Sequence, residues 1–212
     1  MNILFIGNSH TYFHGMPYQC LELLGCLGIQ ARVALVAQPG KSLKWHGENP
    51  TSRLALQYGD WDHIILQQAT HPFRGGDELL DGVKGLLDLM PAGPSVWFYK
   101  TWSRKNRPED QREIDDEFRG ASAEFGIPVI AVSDAWHEVE RRDPGHELYD
   151  ADGAHAGPAG SYVTALCIAR ALSGQSVRGL PSTLHSGDRL LNRVSPDAAA
   201  LYQTVADDQI TG

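Results

Sequence analysis

The 212-residue chain has only three cysteines, Cys20, Cys26 and Cys167, and no C-x-x-C pair. That count argues against a disulfide framework or a zinc knuckle. All three lie in apolar helical patterns, where a free thiol packs as a small buried hydrophobe. Positive charge is also scarce: 18 Lys and Arg stand against 26 Asp and Glu, for a formal net charge of −8. Phosphate contacts need clustered Lys and Arg, so no nucleic-acid partner is expected. A strongly anionic substrate would gain no steering from this field. No apolar run approaches the ~18–20 residues that span a bilayer, so no membrane partner is expected. Residues 1–7 lack the basic n-region and A-x-A site of a signal peptide. The triplet Asn49-Pro50-Thr51 is blocked as a glycosylation acceptor by its proline. These absences point to a cytoplasmic protein.

Three familiar motifs are missing as well. Gly40-Lys41-Ser42 would need a glycine where Leu35 stands to form a phosphate loop. Gly7-Asn8-Ser9-His10 lacks the G-x-G-x-x-G spacing of a dinucleotide fingerprint. No G-x-S-x-G elbow occurs, which argues against the α/β-hydrolase layout.

What is present is a regular alternation. Short apolar runs at 2–6, 32–36, 63–66, 95–99 and 127–132 suit strands buried on both faces. Helical patterns lie between and after them. Residues 16–27 carry Leu21, Leu24 and Leu27. Asp77 can cap a helix in which Leu79, Val83, Leu86 and Met90 follow the helical period. Ile114, Phe118, Ala121 and Phe125 form another apolar stripe. Residues 160–172 and 196–206 read as late helices, the second with Ser195 as N-cap and Pro196 at its first position. Strands alternating with helices predict βαβ units and a parallel sheet. With no repeat, linker or low-complexity stretch, the expected organisation is one domain over residues 1–212. Ligands of such sheets sit beyond the carboxyl ends of the strands. The segments to read are therefore 7–15, 37–46, 67–74, 100–105 and the stretch after the fifth strand.

Two of these segments carry chemistry. Gly7-Asn8-Ser9-His10-Thr11 directly follows the first strand, and Gly7 would permit a tight turn with unusual backbone angles. Ser9 there reads either as a nucleophile at the top of the sheet or as a turn and N-cap residue. In Asp150-Ala151-Asp152-Gly153-Ala154-His155, the three-residue spacing lets Asp152 reach the Nδ1–H of His155. That pairing fixes the tautomer and directs Nε2 at a hydroxyl proton. A solvated loop with an incidental His is the other reading. No third ligand is set by spacing, and Gly15 and Pro17 disturb the face that His10 and His14 would share, so no metal is expected.

Together these residues resemble the SGNH (GDSL-type) esterase and lipase superfamily over nearly the whole chain, and within it the bacterial branch that begins Gly-Asn-Ser. The likeness is carried by Gly7-Asn8-Ser9, Gly40-Lys41-Ser42-Leu43-Lys44-Trp45-His46 and the strand end from Asp62 to Gln67. Thr101-Trp102, Asp134-Ala135-Trp136, Leu148-Tyr149, Asp152-Gly153, His155 and Gly160-Ser161-Tyr162 complete it. The resemblance implies a three-layer α/β/α flavodoxin-like fold with a five-stranded parallel sheet. It also implies hydrolysis of a small-molecule carboxylic ester with no cofactor. By position, Ser9 is the nucleophile, His155 the general base and acid, and Asp152 the orienting carboxylate. The oxyanion hole would use the N–H groups of Ser9 and Gly40 and a side-chain amide. The usual Gly-x-Asn-Asp of the third strand is replaced by Leu66-Gln67-Gln68-Ala69-Thr70, so that amide would come from Gln67, with Gln68 as the alternative. His10, Tyr12 and Trp102 are the expected substrate-binding residues, with Trp45, His46, His71 and Tyr99 as further candidates for the mouth. An acyltransferase with the same triad, or a non-catalytic domain on the same fold, would share these features. A base that must be a neutral imidazole predicts activity falling as pH drops through roughly 6–7.

Overall fold

In the computed structural model, which describes residues 1–210, the chain falls into two compact units. The first comprises Met1–Thr11 and Arg32–Val129. The second comprises Tyr12–Ala31 and the chain from Ile130 onward.

The first unit is built on the sheet. Its strands are β1 (Asn2–Gly7), β2 (Arg32–Ala37), β3 (His63–Leu66) and β4 (Ser95–Tyr99), and the short β5 (Val129–Ile130) completes the sheet. The order is β2-β1-β3-β4-β5, with β1 parallel to β2 and β3, and β3 parallel to β4. This is the flavodoxin-like order, whose topological switch point lies between β1 and β3. The first four strands lie where the apolar runs predicted them. The fifth is two residues long, because Pro128 supplies no backbone N–H to a ladder and only its carbonyl pairs, accepting from Phe98 N–H.

Ile3, Leu4, Phe5 and Ile6 are all fully buried, so β1 hides both faces. Each such side chain contributes about 1.5–3 kcal/mol by leaving water. Leu4 and Ile6 pack with Ile64, Leu66, Phe98 and the apolar stripes of the unit's helices. Those helices are the four-residue α1 (Ser9–Tyr12), of which Tyr12 lies in the second unit, α3 (Leu43–Glu48), α4 (Pro50–Tyr58), α5 (Asp77–Leu87) and α6 (Gln111–Phe125). Ser42 and Asn49 cap α3 and α4, accepting from Trp45 N–H and Ser52 N–H. Asp77 does not cap α5. Gly76 holds that position and Asp77 is the first helical residue, where its charge suits the helix dipole.

The second unit is helical. It holds α2 (Met16–Cys26), α7 (Val132–Arg142), α8 (Pro158–Ser173) and α9 (Pro196–Gln209). The central helix is α8, buried almost all round and packed on α2, α7 and α9. Gly160 is a glycine for want of space. A Cβ there would stand 2.2 Å from Leu148 O and 2.4 Å from the Trp136 ring. Ser195 caps α9 as its sequence predicts, accepting from Ala198 N–H at 3.2 Å. A hairpin of β6 (Thr183–Ser186) and β7 (Arg189–Arg193) was not foreseen. Its two-residue turn, Gly187-Asp188, starts on a glycine at φ +56°, the conformation that such hairpins require.

Cys20 and Cys167 are buried as expected, and burial pushes the Cys20 thiol up to about 12. Cys26 is exposed, contrary to expectation, because it closes α2 on that helix's open side. Among the described residues, no helix is long and apolar enough to cross a membrane.

Candidate active site

The turn after β1 is held by side chains from three directions. Gly7 keeps an ordinary backbone, so the unusual angles expected of it are absent. It is a glycine because a Cβ would stand 2.4 Å from Thr11 Oγ1 and 2.6 Å from Gln67 Oε1. Asn8 is buried and uses both halves of its amide. Its Oδ1 accepts from His10 N–H at 3.0 Å, and its Nδ2 donates to Lys41 O at 3.2 Å. Aspartate could make the first bond but not the second. Thr11 N–H returns to Asn8 O at 3.0 Å and closes the turn. Ser9 is the first residue of α1 and is partly exposed.

Gln67 and Gln68 are both fully buried, and their partners tell them apart. Gln67 Oε1 accepts from Asn8 N–H at 2.8 Å and from Thr11 Oγ1 at 3.0 Å. Its Nε2 donates to Gln68 O, which leaves one N–H on that nitrogen. Gln68 Oε1 instead accepts from Leu43 N–H at 2.8 Å and Ala69 N–H at 3.1 Å, and its Nε2 donates to Arg74 O. Gln67 is therefore the glutamine that touches the serine turn, while Gln68 ties α3 to the loop after β3.

Gly40 lies in the turn 38–41, closed by Lys41 N–H on Gln38 O at 3.1 Å. Its φ of +68° with Pro39 before it is the pattern of a type II turn, which asks for glycine at that position. Asn8 joins this loop to the serine turn through Lys41. His10 packs on His71, with centroids 4.7 Å apart, and edge-on to Trp102 at 5.8 Å. Trp102 is fully buried, so its indole packs beneath His10. Tyr99 is buried too, and its hydroxyl donates to His10 O at 3.2 Å. The loops after β3 and β4 enclose a cleft of about 430 Å³, lined among others by His71, Phe73, Arg104 and Asn106.

In the second unit, residues 149–156 form a loop pinched at its base. Asp150 N–H donates to His155 O at 2.8 Å, and Tyr149 bridges Ala156. Inside it, Asp152 Oδ1 accepts the N–H groups of Ala154 and His155, both at 2.9 Å. Asp152 Oδ2 stands 2.5 Å from His155 Nδ1. Partial burial opposes ionisation of Asp152. The His155 ring and the two backbone N–H groups outweigh it and hold the carboxyl well below the usual range. An acceptor-only carboxylate at Nδ1 places the ring proton there, so Nε2 is the basic nitrogen of the neutral ring.

One residue that the sequence reading overlooked completes this arrangement. Phe13 stacks on the His155 ring at 4.0 Å between centroids and 11° between planes, fixing the plane of the imidazole. Phe13 is carried by a kink in which His14 (φ +50°) and Gly15 (φ +67°) are both left-handed. Such a conformation is uncommon for a non-glycine residue and persists only where surroundings hold it. Here His14 Nε2 lies 3.6 Å from Asp150 Oδ2. Tyr12 is half-buried beside Phe13, at 6.0 Å. The Gly15-Pro17 irregularity was visible in the sequence, but its consequence for the Phe13 ring was not. Among the described residues no group of three or more His, Cys, Asp or Glu is placed to hold a metal ion.

No family model matches the chain, and no curated protein matches it in sequence. Solved structures do match. A DUF4886 family protein from Bacteroides uniformis superposes with a TM-score of 0.77 at 20% identity, over 98% of this chain and 93% of that one. A lipolytic protein of the G-D-S-L family from Veillonella parvula gives 0.65 at 17% identity, over 82% and 100%. A family 3 carbohydrate esterase from Clostridium thermocellum gives 0.63 at 13%, over 82% and 99%. At these identities the likeness is one of fold. The fold of this chain is that of the GDSL-type, or SGNH, hydrolases.

Proposed function

We propose that this protein is a serine hydrolase that cleaves a small carboxylic ester, with Ser9 as nucleophile, His155 as base and acid, and Asp152 as the orienting carboxylate. The observation that carries the reading is the Asp152–His155 pair, whose tautomer and ring plane are set by Asp152 and Phe13. The fold shared with a lipolytic G-D-S-L family protein and with a carbohydrate esterase supports it.

A serine hydroxyl is a weak nucleophile until a base takes its proton. In the proposed reaction, His155 Nε2 accepts the Ser9 proton as Oγ bonds to the ester carbon. The carbonyl electron pair moves onto oxygen. The N–H groups of Ser9 and Gly40 and the remaining N–H of Gln67 stabilise that oxyanion, each such donor being worth roughly 2.7–4 kcal/mol. Collapse breaks the ester C–O bond, and the alcohol leaves with the proton from His155. Water, deprotonated by His155, then attacks the acyl-serine; the bond from the acyl carbon to Ser9 Oγ breaks, His155 returns the proton to Oγ, and the acid is released. The loops around the cleft beside His10 supply the surface for the rest of the substrate. A short acyl group on a sugar or other small metabolite is the first class to try.

The test is a panel of aryl esters of increasing acyl length and acetylated sugars, run on the wild type and Ser9→Ala. Free acid should appear without any added acceptor, and a fluorophosphonate should label Ser9. Turnover by Ser9→Ala at the wild-type rate would end the proposal. Product formed only with an added alcohol would mean an acyltransferase, and no labelling at all would mean a non-catalytic domain.

A further inference from the structure

His46 was expected at the mouth of the site, yet it is 0% exposed. It lies on α3 with both ring nitrogens engaged. Nε2 is 2.8 Å from Gly7 O, and Nδ1 is 2.7 Å from Ser52 Oγ. A carbonyl oxygen only accepts, so Nε2 must carry the proton. The Nδ1 of a neutral ring then accepts, and Ser52 donates its hydroxyl hydrogen to it at 2.7 Å rather than to Asn49 Oδ1 at 3.4 Å. Burial lowers the pKa of His46 against the opposing bond to Gly7, which favours this neutral form.

The carbonyl that His46 holds is the last of β1, two residues before Ser9. It also accepts Gln38 N–H at 3.1 Å. The N–H on the other side of the same peptide group, that of Asn8, donates to Gln67 Oε1 at 2.8 Å. A planar peptide gripped at both its C=O and its N–H has one orientation. That orientation sets the direction in which Asn8 and Ser9 leave the strand. The grip comes from α3 on one side and from the end of β3 on the other.

We propose that His46 is a positioning residue: its Nε2–H holds the Gly7 carbonyl and so aims the turn that carries Ser9. This rests on Ser9 being the nucleophile. The competing account is a buried histidine that merely joins α3 to α4 through Ser52.

Two substitutions separate the accounts, because each keeps a different half of the ring's bonding. In His46→Gln the amide N–H falls where Nε2–H stands and reaches Gly7. In His46→Asn the shorter amide reaches toward Ser52 but not Gly7. His46→Asn should lose about 10²-fold in kcat and in fluorophosphonate labelling of Ser9, the scale of an ångström-size misplacement, with KM changed less than about threefold. His46→Gln should stay within about fivefold of wild type. Hydrogen exchange over residues 7–11 should quicken in His46→Asn only. Equal losses in the two variants, or faithful activity and exchange in His46→Asn, would overturn the proposal.

Two further readouts keep it decidable. If neither variant folds, the nitrogen-15 spectrum of the wild-type imidazole reads the tautomer, and a proton on Nδ1 rather than Nε2 would overturn it. If Ser9 in the wild type is not labelled, the reading of the reaction fails, while the exchange comparison still reports on the grip.

Discussion

Asp152 shows how a residue's role depends on what its neighbours donate. Its side chain is half exposed, which alone would make it an ordinary surface carboxylate. Three hydrogen bonds to its ionised form, from the His155 ring and two backbone N–H groups, lower its pKa instead. The sign of the pH effect follows. A carboxyl whose folded pKa is depressed contributes stability that is fully present above its unfolded value of about 3.9. That stability is lost as the pH falls through the lower folded value. Carbon-13 titration of the Asp152 carboxyl should therefore show it still ionised below pH 3.9, and Asp152→Asn should flatten the acid limb of the stability curve over that range. A midpoint at or above 3.9 would contradict the hydrogen-bond account. The Asp-x-x-His spacing made this pair legible in the sequence. The Phe13 ring that lies on His155 was not legible, because the contact depends on a kink 140 residues away in the chain.

At the scale of elements, two glycines do different work from that expected of them. Gly7 was read as a source of backbone freedom and Gly160 as part of a short pattern. Both are instead places where a side chain has no room. Alanine at Gly160 would gain up to about 1 kcal/mol in helix propensity. Its Cβ would also stand 2.2 Å from a backbone carbonyl, which cannot rotate away. The steric cost, about 1–3 kcal/mol and sometimes more, decides the sign. In Gly7→Ala the nearest atoms belong to the Thr11 and Gln67 side chains, which can shift. Urea denaturation should find both variants destabilised, Gly160→Ala more so. Gly7→Ala should lose activity out of proportion to its stability, because Thr11 and Gln67 brace the serine turn. A neutral Gly160→Ala would remove the packing argument. The parallel strands were legible because apolar runs of that length have few other uses. The β6–β7 hairpin was missed because Ser186, Leu191 and Asn192 break the alternation that marks a strand.

For the whole molecule, the proposed reaction uses Ser9, His155 and Asp152 as one set. Groups that act as one machine lose their effect together. Ser9→Ala, His155→Ala and the double variant should therefore show similar residual rates on the same ester, rather than losses that multiply. Multiplying losses would mean that the residues act independently and would count against a shared triad.

The amino-acid sequence by itself determined the α/β class, four of the five strands nearly to the residue, and the late helices with the Ser195 cap. These follow from periodicity and local capping, which depend only on neighbours along the chain. It also brought forward Ser9, by its place directly after the first strand, and Asp152 and His155, by their three-residue spacing. The tertiary structure decided which glutamine faces the serine turn, why Asn8 is an amide and that His46 and Trp102 are interior. The glutamine, Asn8 and His46 outcomes depend on which donor meets which acceptor across 25 to 59 residues of chain, and that of Trp102 on packing against the distant His10. A polar side chain looks the same in sequence whether it faces solvent or grips a buried carbonyl.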